Sequence, residues 1–170
     1  MNLFTYLEGM PLITKIKYNL DEMEQVIKLS LTEFEKNGGP SVYSKDAVEL
    51  LLMTSAQETQ FRNVKQISGG PAIGLYQMEP QTHDDIWNTF LCDHPLWACS
   101  ISKMGFNKGS DHLFDPKYAT IMCRLKYYRL NQPIPLSPLA KAAYWKKYYN
   151  TPLGSGTVAE CMKNYKIYCC

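Results

Sequence analysis

The sequence predicts a mainly α-helical domain of about seven helices with a small β-hairpin near residues 68–78. Three observations predict it. Apolar residues recur at three- and four-residue spacing in several windows. Capping residues and prolines stand just ahead of those windows. One stretch, Ser68-Gly69-Gly70-Pro71-Ala72-Ile73-Gly74, breaks the helical pattern and suits a tight reversal.

Residues 1–20 carry no periodic pattern and read as an N-terminal arm, which leaves 21–170 as one domain. A chain of 170 residues is long enough to bury a single core. The first helix should run from Asp21 to Lys36 on Met23, Ile27, Leu31 and Phe34, ending at Gly38-Gly39. Ser44 should cap a second helix, carrying Val48, Leu51, Leu52 and Ser55 and reaching Gln60. Thr82 is the expected cap of a third, with Asp84 and Asp85 in its first turn, where negative charge favours the helix dipole. Pro95 opens a short helix toward Met104, and 105–114 read as loop. Asp115-Pro116 is a cap followed by proline at the first helical position, ahead of the stripe Tyr118, Ile121, Met122, Leu125 and Tyr128. Pro133 and Pro135 break the chain. Ser137-Pro138 then starts a helix ending near Tyr149, and 150–154 form a turn. Thr157 and Glu160 make a capping box for a last helix.

Composition narrows the partners. Hydrophobic residues are 45%, charged residues 20%, and the net charge is +2, with no Lys/Arg run to hold nucleic acid. No stretch approaches the ~20 apolar residues of a membrane span, so no stable membrane insertion is expected. Glu8, Pro11, Lys15 and Lys17 interrupt the first 20 residues, so no signal peptide is expected. Cys92, Cys99, Cys123, Cys161, Cys169 and Cys170 show no repeated Cys-x-x-Cys and read as reduced thiols. Cys92, His94 and Cys99 are too loosely spaced for a zinc site. No metal and no cofactor is expected.

Glu58 is the residue with chemistry in it. Leu51, Ser55 and Glu58 stand at i, i+4 and i+7, which puts Glu58 only ~20° from Leu51 around the helix axis. A carboxyl on an apolar stripe is desolvated, and desolvation raises its pKa toward that of a proton donor at neutral pH. The bland alternative is that the helix end turns Glu58 to solvent.

The surrounding residues add to this. Glu58-Thr59-Gln60-Phe61, followed by Gly70-Pro71-Ala72-Ile73-Gly74-Leu75-Tyr76-Gln77-Met78-Glu79-Pro80-Gln81-Thr82, resembles the lytic transglycosylase and goose-type lysozyme branch of the lysozyme-like superfamily. That branch carries Glu-Ser-x-Phe, then Gly-Ala-x-Gly-Leu-Met-Gln, then Pro-x-Thr. The likeness extends over roughly residues 44–160, and its wording looks like that of phage-encoded members in particular. The third family motif, Ala-Tyr-Asn, is broken here: Ala143-Tyr144 runs into Trp145. Tyr149-Asn150 is the favoured match, and Tyr144 is the alternate.

The resemblance implies a lysozyme-like α+β domain that cleaves the glycan strands of peptidoglycan. Glu58 is implied as single acid and base. Phe61, Gly74, Leu75, Tyr76, Gln77, Tyr149 and Asn150 are implied to line the sugar groove. It also implies an endolysin or a virion-associated enzyme, held in the virion or in the host cytoplasm before release to the periplasm, with other virion proteins as partners. A hydrolase would need a second carboxylate or a well-held water. Glu79, Asp84, Asp85, Asp111 and Asp115 are the candidates, Glu79 foremost. A virion protein keeping the fold without activity and a glycan-binding module are the non-enzymatic readings. His83 beside Asp84 makes a weak dyad, because adjacent helical residues point ~100° apart.

Overall fold

The computed structural model describes residues 16–64, 70–152 and 154–170. Capping sets most helix starts. Helix α1 (Leu20–Lys36) begins at Asn19, whose side chain accepts from Glu22 N at 2.9 Å while Glu22 Oε2 accepts from Asn19 N at 2.9 Å. Helix α2 (Lys45–Thr59) begins at Ser44, whose Oγ accepts from Ala47 N at 3.0 Å. Helices α3 (Pro80–Thr89) and α4 (Pro95–Lys103) start on prolines, whose fixed φ suits a first turn. Asp115, Ser137 and Thr157 cap α5 (Pro116–Tyr128), α6 (Pro138–Trp145) and α7 (Val158–Tyr168), the last through the expected capping box.

The described residues therefore hold seven α-helices, and the fold is mainly α. None of these helices is long and apolar enough to cross a membrane. Three local expectations change. Thr82 lies inside α3, which starts at Pro80, so Asp84 and Asp85 fall beyond its first turn and interact with side chains instead. The 105–114 loop contains a short 3-10 turn, Ser110–Phe114. The sixth helix does not stay α-helical to Tyr149: after Trp145 it widens into a π turn, Lys146–Asn150.

Around the expected hairpin, residues 65–69 lie outside the described segment. From Gly70 onward a single antiparallel bridge joins Ile73 and Met78, with N–H···O distances of 3.0 and 3.2 Å. The chain reverses at once through Gly74 (φ 76°) and Gln77 (φ 46°), so no longer strands are opposed. A second bridge pairs Lys17 with Arg62. Tyr18 N donates to Phe61 O and Asn63 N to Ile16 O, both at 3.0 Å, so residues 16–18 of the expected arm are tied to the chain just after α2. Residues 1–15 of that arm lie outside the described segment.

Helix α1 packs along α5 and α2 packs along α7, and α2 also touches α1, α5 and α6. Its residues from Leu50 to Ala56 are all buried. A helix covered on all sides is a core helix rather than a surface one. Glu58, just beyond Ala56, is half-buried, so its desolvation follows from the central place of α2 more than from one apolar stripe.

Candidate active site

Glu58 stands in the last turn of α2. The helix stops because Gln60 (φ 57°) and Phe61 (φ 62°) are both left-handed. Two such non-glycine residues cost ~1–3 kcal/mol each and persist only where their surroundings hold them. Here Gln60 N donates to Ala56 O at 3.1 Å, and Phe61 O accepts from Tyr18 N at 3.0 Å. The turn around residue 75 is fastened to the same helix end: Ser55 Oγ and Thr59 Oγ1 donate to Leu75 O at 3.1 and 2.9 Å.

The Glu58 carboxyl accepts a hydrogen bond from Trp145 Nε1 at 3.0 Å. Trp145 is fully buried, and a Cβ at Gly156 would sit 2.7 Å from its ring, so a glycine there leaves the indole room. Burial pushes the Glu58 pKa up to about 7, against the opposing pull of the Trp145 hydrogen bond and the Lys126 charge. Lys126, on α5, donates to Tyr149 O at 3.1 Å and lies 3.7 Å from the Tyr149 ring centroid. Burial lowers its own pKa, while the charges of Glu58 and Glu79 favour its ammonium. Tyr149 in turn donates from its hydroxyl to Tyr76 O at 2.7 Å. The result is a half-buried carboxyl at the edge of the core, held by one donor and faced through space by one cation.

Several residues expected to touch sugar have other tasks. Phe61, Leu75 and Tyr76 are buried, so their side chains pack into the core. Phe61 meets the edge of Tyr168, with ring centroids 6.0 Å apart. Tyr76 shares a 3.0 Å hydrogen bond with Thr120. Gly74 is buried against Leu113. Gln77 Nε2 donates to Val64 O and Gly74 O, both at 3.0 Å, so neither amide hydrogen is left for an N-acetyl group. Tyr149 is buried and positions Lys126. Asn150 Oδ1 accepts from Lys146 Nζ at 2.8 Å, and that ammonium also reaches Thr151 O and Gly154 O, which makes Asn150 part of the turn's own network. Tyr144 donates to Gln132 O and stacks on Tyr127.

Trp145 and Lys126 are the site residues that the sequence reading missed. Both left a signal. Trp145 occupies the third place of the broken Ala-Tyr-Asn motif, and Lys126 interrupts the apolar run from Ile121 to Tyr128.

Of the candidate second acids, Glu79 is exposed and close enough for its charge to act on Lys126. Asp85 pairs with Arg129, Asp115 caps α5, and Asp111 is exposed. The His83–Asp84 pair does form, at 2.8 Å, against the expectation from helix geometry. Tyr118 Oη fixes the opposite ring nitrogen at 2.7 Å, leaving Nδ1 within reach of the neighbouring carboxylate. His83 is fully buried, burial lowers its pKa, and its bond to Tyr118 ties α3 to α5.

Comparison of the chain with protein-family models, with curated proteins and with solved structures gives no match.

Trp145→Phe tests the hydrogen bond directly. Losing the donor removes a stabiliser of the carboxylate, so the Glu58 pKa should rise further above its ordinary value. A carboxyl-carbon NMR titration of both proteins reads it. An unchanged or lower pKa in a folded variant would mean that the indole does not hold the carboxyl.

Proposed function

We propose that this chain is a peptidoglycan-cleaving lytic transglycosylase that cuts the MurNAc–GlcNAc β-1,4 bond, with Glu58 as single acid and base. The observation that carries this reading is the half-buried Glu58 carboxyl, its pKa raised to about 7 by desolvation and one oxygen held by Trp145. Half-protonated near neutral pH, such a group is matched to donating and then accepting a proton. It first protonates the glycosidic oxygen as the C1–O bond breaks. The carboxylate left behind faces the Lys126 charge and the Trp145 N–H, which stabilise it. It then takes the proton from the muramyl 6-hydroxyl as that oxygen bonds to C1. The product is a 1,6-anhydro ring, and no water is consumed. The enzyme acts as an endolysin or a virion component.

Incubation of the protein with purified sacculi and mass spectrometry of the released glycans tests the reading. Anhydro ends are expected. Reducing muramyl ends would replace it by a hydrolase, with Glu79 as the first residue to examine. No product would leave a non-catalytic glycan binder or virion component.

The pH profile has a defined sign. The general acid must be protonated, so kcat/KM should fall as pH rises through about 7. A flat profile from pH ~5 to ~9 would exclude Glu58 as the proton donor.

A further inference from the structure

A cavity of about 340 Å³ opens where the start of α2, the end of α5 and the 130–134 loop meet. Ser44, Asp46, Arg124, Tyr127, Tyr128 and Ile134 are among its lining residues. Arg124 is the group there whose surroundings leave it incomplete. It is only 9% exposed. Its Nε donates to Val42 O at 2.8 Å, and its guanidinium carbon lies 5.0 Å from the Tyr128 ring centroid. Among the described residues, neither Nη has a hydrogen-bond partner and no carboxylate lies within ion-pair distance. Glu35 acts on Arg124 through space, but Glu35 Oε1 already accepts from Val42 N and Tyr43 N, each at 2.7 Å. The Nη groups are not sealed from solvent, and a fork of free N–H groups is the geometry that a carboxylate fits.

Asp46 adds the second half. Its Oδ1 accepts from the buried Lys141 at 2.8 Å, yet its side chain remains 38% exposed. Tyr127, Tyr128, Leu130, Pro133 and Ile134 add aromatic and aliphatic lining. A carboxylate in the lining disfavours a phosphate dianion and favours a ligand carrying both signs. The volume falls in the lower part of the usual ~300–1,000 Å³ range for small-ligand pockets, which suits an amino acid or dipeptide better than a glycan strand.

We propose that this cavity binds the charged end of an amino acid or short peptide, with the Arg124 Nη groups taking its carboxylate and Asp46 its ammonium. The site is separate from Glu58. Tyr127 lines the cavity and also packs against Tyr149, with ring centroids 5.5 Å apart. The proposal stands or falls independently of glycan cleavage.

The test is an NMR titration of the full chain, following backbone amides and the Arg124 Nε–Hε signal, with alanylalanine in L,L and D,D forms, acetate and inorganic phosphate as probes. One dipeptide is expected to give saturable shifts at Arg124, Tyr128 and Ile134. Arg124→Gln should weaken it by at least about tenfold. Ile134→Trp puts bulk into the cavity while keeping the arginine and should weaken it comparably, which covers the case in which the arginine variant folds poorly. Asp46→Asn should weaken the dipeptide and spare acetate. The absence of saturable shifts, tighter binding of phosphate, or unchanged binding in folded Ile134→Trp would overturn the proposal. Displacement of the dipeptide by stem-bearing muropeptides but not by chitotetraose would identify the cell-wall stem as the source. No displacement would identify a soluble amino acid, with the assignment of the cavity intact.

Discussion

Glu58→Gln should lose nearly all glycan cleavage, by ~10²–10⁴-fold, because an amide cannot donate the proton that the leaving oxygen needs. The same change should make the fold more stable at neutral and alkaline pH. The folded-state pKa of Glu58, about 7, lies above the ordinary 4.5. Between those values the folded chain binds more proton than the unfolded one. Stability therefore falls as pH rises through this window, and above about pH 7 the half-buried carboxylate is a net cost. Glutamine removes that cost, a gain on the order of 1–3 kcal/mol. Thermal melts at pH ~5 and ~8 read it, with the variant's advantage confined to the higher pH. Near wild-type cleavage by the variant would remove Glu58 as the acid. An advantage equal at both pH values would show that the carboxyl is not desolvated.

Gly74→Ala is expected to have the largest effect on folding. Gly74 has φ 76°, and a Cβ there would lie 2.1 Å from Leu113 O, a backbone atom that cannot swing away. The unfavourable backbone conformation alone costs ~1–3 kcal/mol, and the clash adds to it, so a total above ~4 kcal/mol is expected. Denaturant unfolding measures the loss. Activity should fall with it, because Leu75 O is the acceptor that fastens this turn to Ser55 and Thr59 beside Glu58. A loss under ~1 kcal/mol would mean that the turn relaxes freely around the added methyl.

The helices were legible because their starts are written in local chemistry: Ser44, Asp115, Ser137 and Thr157 each cap where their side chains and position indicate. Thr82 misled because Pro80, two residues earlier, starts a helix without any side-chain cap. Glu58 was legible from its place on an apolar helix, but its surroundings were not. Trp145 and Lys126 lie 87 and 68 positions further along the chain, and only packing of α2, α5 and α6 brings them near it. The burial of Tyr76 and Phe61 was hidden for a related reason. An aromatic next to a motif looks the same in sequence whether it faces a groove or the core, and here both face the core.

The π turn at Lys146–Asn150 makes the number of residues between Trp145 and Tyr149 consequential. On an α-helix, residues four apart fall ~40° past a full turn. The wider turn changes that offset, and the two side chains at its ends serve different anchors: Trp145 holds Glu58, and Tyr149 holds the Tyr76 carbonyl. In descent positions 147 and 148 are free to drift in spelling, Lys146 is tied to Asn150, Thr151 and Gly154, and the length is fixed. Lys147 is exposed and Tyr148 half-buried, so substitutions there disturb neither anchor. A one-residue deletion would restore an even α-helical pitch and pull one anchor out of phase with the other. Lineages of this chain should therefore show variable residues at these positions and a constant count.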